Sequence, residues 1–527
     1  MTVDYKLNSA VILAAGRSKA TAPYSYEMPK ALYKVHGQPL IERLILQLHE
    51  AGIEKITIVI GHMKEKFLYL KGKFNVDLII NKDFDNKGNI WSLYLAKEKI
   101  ENSVVCDCDC YYPQNPFINL TITDLFHSVK KQNVSTNKLC VFNERGELDQ
   151  VKRGGGHVCL TGFAVFNKSF SHNLFRLLSQ EINSFGVNQL YWEEYVGRHS
   201  DILKMSLRLY QENELIEFNS LDDLQKFDGY FLDSIDSSIF ENISRILRCQ
   251  IADIHNIHAI NGGLTNVSFK FSVNGQTYVY RHPGVSSRNF INRQSEEFTQ
   301  KVAYQLGIDK TFIAMDVNEG WKISHFMENS YALSYENKHN LKSVMQMLRR
   351  LHECGIRSPY ELNTFLEAER LLNIASHRSS KLLSDFKPLK DKIEKLYHLT
   401  ELDSFPKTLC HNDTYNVNFL VNDQGINIID WEYSGYGDPA NDIGSIVCRH
   451  PFTDEEVDEI LYFYFGREPT AKEYKHYIAY IAISGWYWFC WSLCKDSLGD
   501  DFGFYFLESY DTAQKFSNKA LKLYGML

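Results

Sequence analysis

The stretch VVCDCDCYYP, residues 104–113, runs two valines into alternating thiols and carboxylates and closes on two tyrosines and a proline. Read as an extended strand, it puts Cys106, Cys108 and Cys110 on one face and Asp107 and Asp109 on the other, because successive side chains point to opposite sides. One face packs and the other is left for chemistry. Upstream, short apolar runs alternate with helical stretches: AVILAAG at 10–16, LIERLILQLHEAG at 40–52, KITIVIG at 55–61, VDLIIN at 76–81 and WSLYLAKEKI at 91–100. Strands this apolar are buried on both faces, so the pattern predicts a doubly wound parallel sheet, with ligands at the carboxyl ends of its strands.

The chain has 527 residues, more than one hydrophobic core organises, and two domains are expected. A net charge of −8 with both signs interspersed argues against a nucleic-acid footprint or a polybasic membrane surface and favours small-molecule partners. Eleven cysteines, an odd number without paired spacing, read as reduced thiols in a cytoplasmic protein. MTVDYKLNSAVILAAG has no basic segment before its apolar run, so it reads as a strand entering a loop and not as a signal peptide. YIAYIAISGWYWFCWSLC, 477–494, is uncharged and long enough to raise a transmembrane reading, but Ser484, Gly485 and Ser492 interrupt it and its aromatics suit a buried, ligand-lining helix. The strand–helix alternation ends in the acidic segment around 217–240, which places the boundary between domains 1–232 and 233–527. Beyond it, TNVSFKFSVNGQTYVYRHPG reads as a hairpin about Asn-Gly, and the remainder is mostly helical.

The first candidate site begins at VILAAGRS, 11–18, where a strand enters a small-residue loop whose N–H groups can approach phosphates. PKAL, 29–32, follows, and Lys30 can fold back over the same phosphates. Together LAAG and PKAL resemble the Rossmann-like nucleotidyltransferases. HGQPLIERLILQLHEAGIEKITIVIGH and NKGNIWSLYLA are most similar to bacterial CTP:phosphocholine cytidylyltransferases, over roughly residues 8–228. The resemblance implies nucleotide contacts at Leu13, Ala14, Ala15, Gly16, Lys19, Asn89 and Asp107, catalysis by Lys30, Mg²⁺ on Asp109 and Asn219, and CTP as a substrate. It decides the face of the central strand in favour of the carboxylates, since Mg²⁺ takes oxygen and a three-thiol zinc site lacks its fourth ligand. LYWEEY, 190–195, resembles the segment that cages a trimethylammonium, here with Tyr191, Trp192 and Glu193.

The second candidate site is LCHNDTYNVNFLVNDQGINIIDWE, 409–432, where His411, Asp413 and Asn418 have the H-x-D-x-x-x-x-N spacing of a phosphotransferase loop and Asp430 follows on the next strand. Asp413 is the expected catalytic base, with Asn418, Asp430 and Glu432 on Mg²⁺ and ATP as donor. GGLTNVSFKF, YVYRHPG and DWEYSGYGDPANDI resemble the choline/ethanolamine kinases of the aminoglycoside phosphotransferase group, a protein-kinase-like α+β fold, over about 240–515. That resemblance implies a loop at Asn261–Asn266 over the phosphates, Arg281 as the strand cation and Glu296 as its helix partner. It also implies a quaternary-ammonium cage of Trp488 and Trp491, three apart on one helical face, closed by Tyr510 or Tyr505.

Three positions depart from these families. GRSKATAP lacks the usual glycine and arginine, so Lys19 or Arg17 takes the arginine's part, and Lys138 stands where a tryptophan is expected. Arg449 stands where an acidic residue is common. The expected enzyme is a fused choline kinase and phosphocholine cytidylyltransferase, its Mg²⁺-dependent product CDP-choline. The alternatives are the same steps on ethanolamine or another small alcohol, an aminoglycoside kinase fused to a sugar nucleotidyltransferase, or a nucleotide-sensing scaffold.

Overall fold

The computed structural model describes residues 7–131, 138–153, 158–184, 186–260, 266–284, 291–376, 382–497 and 503–527. These form two compact units, one made of the residues up to Ile260 together with Phe269–Gln276, the other of the described residues 266–268 together with Thr277–Leu527. The sequence-based boundary at 232/233 falls earlier, because helix Ser238–Leu247 is held by the first unit. The Glu27 carboxylate accepts from the Ser237 hydroxyl, from Ser238 Oγ at 2.6 Å and from the Ile239 N–H at 3.3 Å.

The first unit is built on a nine-stranded sheet: β1 (Ser9–Ala14), β2 (Lys55–Ile60), β3 (Asp77–Ile80), β4 (Ser103–Asp107), β5 (Phe126–Lys131), β6 (Lys138–Phe142), β7 (Leu148–Arg153), β8 (Val158–Phe166) and β9 (Ser206–Tyr210). The order is β7-β6-β8-β4-β1-β2-β3, with β5 joining β8 to β9. Strands β3, β2, β1 and β4 are parallel, whereas β8 runs antiparallel to β4, so the sheet is mixed beyond its first four strands. Alternate residues of β1 feed two cores: Ala10, Ile12 and Ala14 pack on one face, Val11 and Leu13 on the other. Helix α1 (Leu40–Glu50) covers the first face with Ile41, Leu44, Ile45 and Leu48, at i, i+3, i+4 and i+7. Each such side chain stabilises by about 1.5–3 kcal/mol on full burial. Helices α2 (Asn89–Leu95) and α3 (Lys168–Glu181) cover the other face through Ile90, Leu93, Phe170, Leu174 and Leu178.

The second unit opens on antiparallel strands, Gln276–Pro283 beside Lys322–His325 and that beside Phe312–Met315, flanked by helix Arg293–Gln305. A largely helical body follows around helix Ala471–Ser497, which is buried continuously from His476 to Lys495 and therefore apolar all round. The small residues that interrupt its apolar run are packing devices. A Cβ on Gly485 would meet Ser509 O and Ala513 N at 3.0 Å, and Ser484 Oγ donates to Asn441 Oδ1 at 2.7 Å. Among the described residues, no helix is long and apolar enough to cross a membrane.

Candidate active sites

In the first unit, β4 ends at Asp107 and the chain bends through Cys108 and Asp109 before Cys110–Tyr111 pairs antiparallel with Ile216–Glu217. Cys106 and Cys110 are buried in the α1-side core, with Cys108 packed against it. Burial, with Asp107 and Asp109 adding to it, pushes all three thiols up, so they remain protonated and are poor metal ligands. Asp109 turns the other way and accepts from Lys30 Nζ at 2.8 Å. Lys30 opens a short 3-10 turn, Lys30–Leu32, and is only 6% exposed. Burial alone would lower its pKa, but Asp109 outweighs burial and holds it raised and charged.

Glu217, opposite Cys110 in the strand pair, joins this cluster. Burial and the Asp109 charge raise its pKa. Sequence reasoning missed it, although the signal was present: Glu217 and Asn219 lie two apart in an extended segment and share a face. The Asn219 N–H donates to Asp223 Oδ2 at 3.0 Å and Ser220 caps helix Leu221–Phe227, which fixes that segment beside the pair. Asp109 and Glu217, which sense each other's charge, both offer oxygen, the chemistry of a hard divalent cation.

Leu13, Ala14 and Ala15 are buried, whereas Gly16 is exposed, and a Cβ built on it meets nothing within 4 Å. The protein's own packing does not require glycine there. Arg17 is paired with Asp85, Nη2 to Oδ2 at 2.6 Å, and the side chain of Lys19 lies outside the described residues, as does that of Lys138.

The expected aromatic cage is corrected by the structure. Trp192 is a core residue, stacked on His127 with ring centroids 5.2 Å apart and edged by Phe166, because it begins helix Trp192–Arg198 facing inward. Tyr191 precedes it and is exposed, and its N–H donates to Glu194 Oε2 at 2.9 Å in the helix cap, so the two rings diverge. Glu193 is fully buried, and Asn89 ties the segment to α2 by accepting from the Trp192 N–H at 2.8 Å. Asn89 thus acts as a structural clamp.

In the second unit, Asp442 fixes the loop that carries His411, Asp413 and Asn418. Its carboxylate accepts the N–H groups of His411 at 2.9 Å and Asn412 at 2.6 Å and pairs with His352 Nε2 at 2.8 Å. Burial would raise its pKa, but His352 and His411 hold it lowered. Asn418 Nδ2 donates to Asp413 Oδ2 at 3.1 Å, and the Ile429 N–H donates to Asn418 O at 2.9 Å, which sets Asp430 beside Asn418. Asp430 adopts a left-handed φ of 63°, a conformation rare outside glycine and concentrated at functional turns. These residues again offer hard oxygen ligands.

Arg281 and Glu296 form a buried pair at 2.6 Å, as expected. Glu296 also meets Arg293 at 2.7 Å and Lys322 at 3.4 Å, and Arg281 reaches Asp430 at 3.4 Å and Glu432 at 4.0 Å. Burial opposes ionisation of Glu296, yet Arg281, Lys322 and Arg293 hold its pKa far below the carboxylate range. Of the expected phosphate loop, residues 261–265 and the side chain of Asn266 lie outside the described residues.

Trp488 and Trp491 meet edge-on with centroids 5.7 Å apart, anchored by Ser445 and the Tyr433 hydroxyl. Tyr510 does not close this pair; it packs on Phe386 and Phe489, one residue round the helix, and the Tyr505 side chain lies outside the described residues. Arg449 turns into the site. Its guanidinium carbon lies 3.5 Å from the Trp488 ring centre and Nη1 lies 2.7 Å from Asp413 Oδ1.

Residues 10–151 match the family of MobA-like NTP transferase domains, and residues 257–482 match choline/ethanolamine kinase. The chain is 31% identical over 221 residues to the choline-phosphate cytidylyltransferase of Streptococcus pneumoniae, spanning 42% of this chain and 96% of that protein. The first part of the chain belongs to the NTP transferases. That part is also 28% identical to the 2-aminoethylphosphonate cytidylyltransferase of Lancefieldella rimae, over 42% of this chain and 93% of that one. The kinase half is 28% identical to Protein LicA of Haemophilus influenzae, over 48% of this chain and 78% of that one. An NTP-transferase region and a region resembling choline/ethanolamine kinase in one chain support transferase activity.

Proposed function

We propose that this chain makes a CDP-alcohol in two steps: the kinase unit phosphorylates a small alcohol with ATP, and the transferase unit joins the phosphorylated product to CMP from CTP, releasing pyrophosphate. The observation that supports it best is the coexistence of two groups of oxygen donors, Asp413/Asn418/Asp430 and Asp109/Glu217, in units whose substrate and product match.

Asp413 accepts the hydroxyl proton of the alcohol, and Asn418 fixes its carboxylate. Arg281, held by Glu296, faces the nucleotide phosphates. In the transferase unit Lys30 leaves Asp109 for the triphosphate and neutralises charge at the α-phosphorus. Mg²⁺ fits both donor sets and, when bound, supplies further charge neutralisation.

Choline is the alcohol that the relatives' names point to, and the tryptophan pair favours it. A second reading, another small alcohol, is favoured by Arg449 over Trp488. The test follows labelled alcohol with ATP, CTP and Mg²⁺ in the full chain. Asp109→Ala should stop at the phosphorylated alcohol, and Asp413→Ala should make CDP-alcohol only when given that phosphorylated compound. Pyrophosphate release by Asp109→Ala at the wild-type rate would sink the assignment.

A further inference from the structure

The aromatic pair of the kinase unit already carries cations of the chain itself. Arg449 covers Trp488 at 3.5 Å, and Lys495 Nζ, on a residue 1% exposed, lies 5.6 Å from the centre of the Trp491 ring. A quaternary ammonium arriving here would compete for ring faces in use and meet like charge at short range. Asp413 answers part of the Arg449 charge through Nη1, but Nη2 is buried and has no hydrogen-bond partner among the described residues. A buried guanidinium nitrogen left unpaired is costly unless a ligand supplies the acceptor.

Arg449 also lines a cavity of about 460 Å³ with Tyr335, Tyr415, Asn416 and His450, two residues along the chain from the catalytic base. Burial pushes the Tyr335 hydroxyl up, so at neutral pH it stays an O–H donor. Glu336 and Ser334 line the same cavity but are exposed, so the carboxylate of Glu336 is screened by water.

We propose that the alcohol phosphorylated by this unit carries an anionic group, a carboxylate or a phosphonate, held by Arg449 Nη2 and the Tyr335 hydroxyl. This rests on the kinase reading above and names the substrate class of that site. The alcohol oxygen attacks the γ-phosphorus of ATP, the bridging bond from that phosphorus to the β-phosphate oxygen breaks, ADP leaves and the hydroxyl proton passes to Asp413. Arg449 is a specificity residue that orients the acceptor; its planar fork suits a two-oxygen anion.

The experiment measures ADP release by the full chain with ATP and Mg²⁺ for glycolate, 2-hydroxyethylphosphonate, choline and ethanolamine, in wild type, Arg449→Gln and Arg449→Lys. At least one anionic alcohol should exceed choline tenfold or more in kcat/KM, and comparing the two anions tells carboxylate from phosphonate. Arg449→Gln should lose tenfold or more on the preferred anion, chiefly through KM, and gain on choline as the Trp488 face is released. Arg449→Lys should restore part of the anion's KM. Circular dichroism of each variant separates this from misfolding. Choline or ethanolamine outrunning both anions in wild type overturns the proposal and leaves the kinase reading standing. No turnover of any of the four overturns both.

Discussion

Glu296→Gln removes the charge of a carboxylate that pairs with three cations of the kinase unit. Glu296 is fully buried and receives Arg281 at 2.6 Å, Arg293 at 2.7 Å and Lys322 at 3.4 Å. Glutamine keeps one acceptor oxygen but turns an amide donor toward cations that can only donate. Breaking a buried ion pair on one side costs about 3–5 kcal/mol. Asp430 and Glu432 still touch Arg281, and Glu432 lies 3.7 Å from Arg293, so the lower figure of about 3 kcal/mol applies. For a unit of this size, each kcal/mol moves the midpoint by about 2–4 °C, so a fall of about 6–12 °C is expected. The assay is calorimetry of the intact chain at pH 7, with the transferase transition, identified by its shift with CTP, as an internal reference. Because the folded pKa of Glu296 is depressed, its contribution is full above the ordinary carboxylate range and is lost as pH falls through the lower folded value. The gap between wild type and variant should therefore narrow below about pH 4. A midpoint within about 2 °C of wild type at pH 7, or a gap that widens in acid, would refute the reasoning.

Asp109→Asn should cut pyrophosphate release with CTP and phosphorylated alcohol by roughly 10²–10³-fold while ADP release is unchanged, as expected for loss of one charged group in a phosphoryl site. Gly16→Ala should leave the transferase midpoint within about 0.5 kcal/mol of wild type, since its Cβ meets no protein atom, but raise KM for CTP; an unchanged KM argues against nucleotide at this loop. Gly444→Ala puts a methyl 2.6 Å from Tyr480 O and closer still to Ser484 Oγ, so about 1–3 kcal/mol of kinase-unit stability should be lost in denaturant titration.

Periodicity made the transferase sheet legible as far as β4, because four parallel strands buried on both faces leave a dense apolar signal. The remaining strands were opaque: β5, β7 and β9 interleave charged and polar residues with apolar ones, and Lys or Arg at strand positions such as Lys130 and Arg208 dilutes the pattern. Asp413 and Asn418 meet as their short spacing in the chain implies, whereas Lys30 and Asp109 stood out only by resemblance and are joined across 79 residues. Glu217, Asp442 and His352 were not legible, since each acts across 30 or more residues of chain, through a register or a hydrogen bond that no spacing encodes. Trp192 and Tyr510 misled for the opposite reason. An aromatic beside an acid, or near a tryptophan pair, has the same local signature whether its ring faces a ligand or the core.

Helix Ala440–Val447 bears Asp442 in its first turn, and Arg449 follows two residues after its end. One clamps the backbone that precedes the base and the other meets the base's own oxygen. At 1.5 Å of rise per residue this rod is about 12 Å long. Placement errors between the base and its neighbouring cation therefore accumulate over a single short gauge block, and breathing of the larger body moves both ends together and cancels.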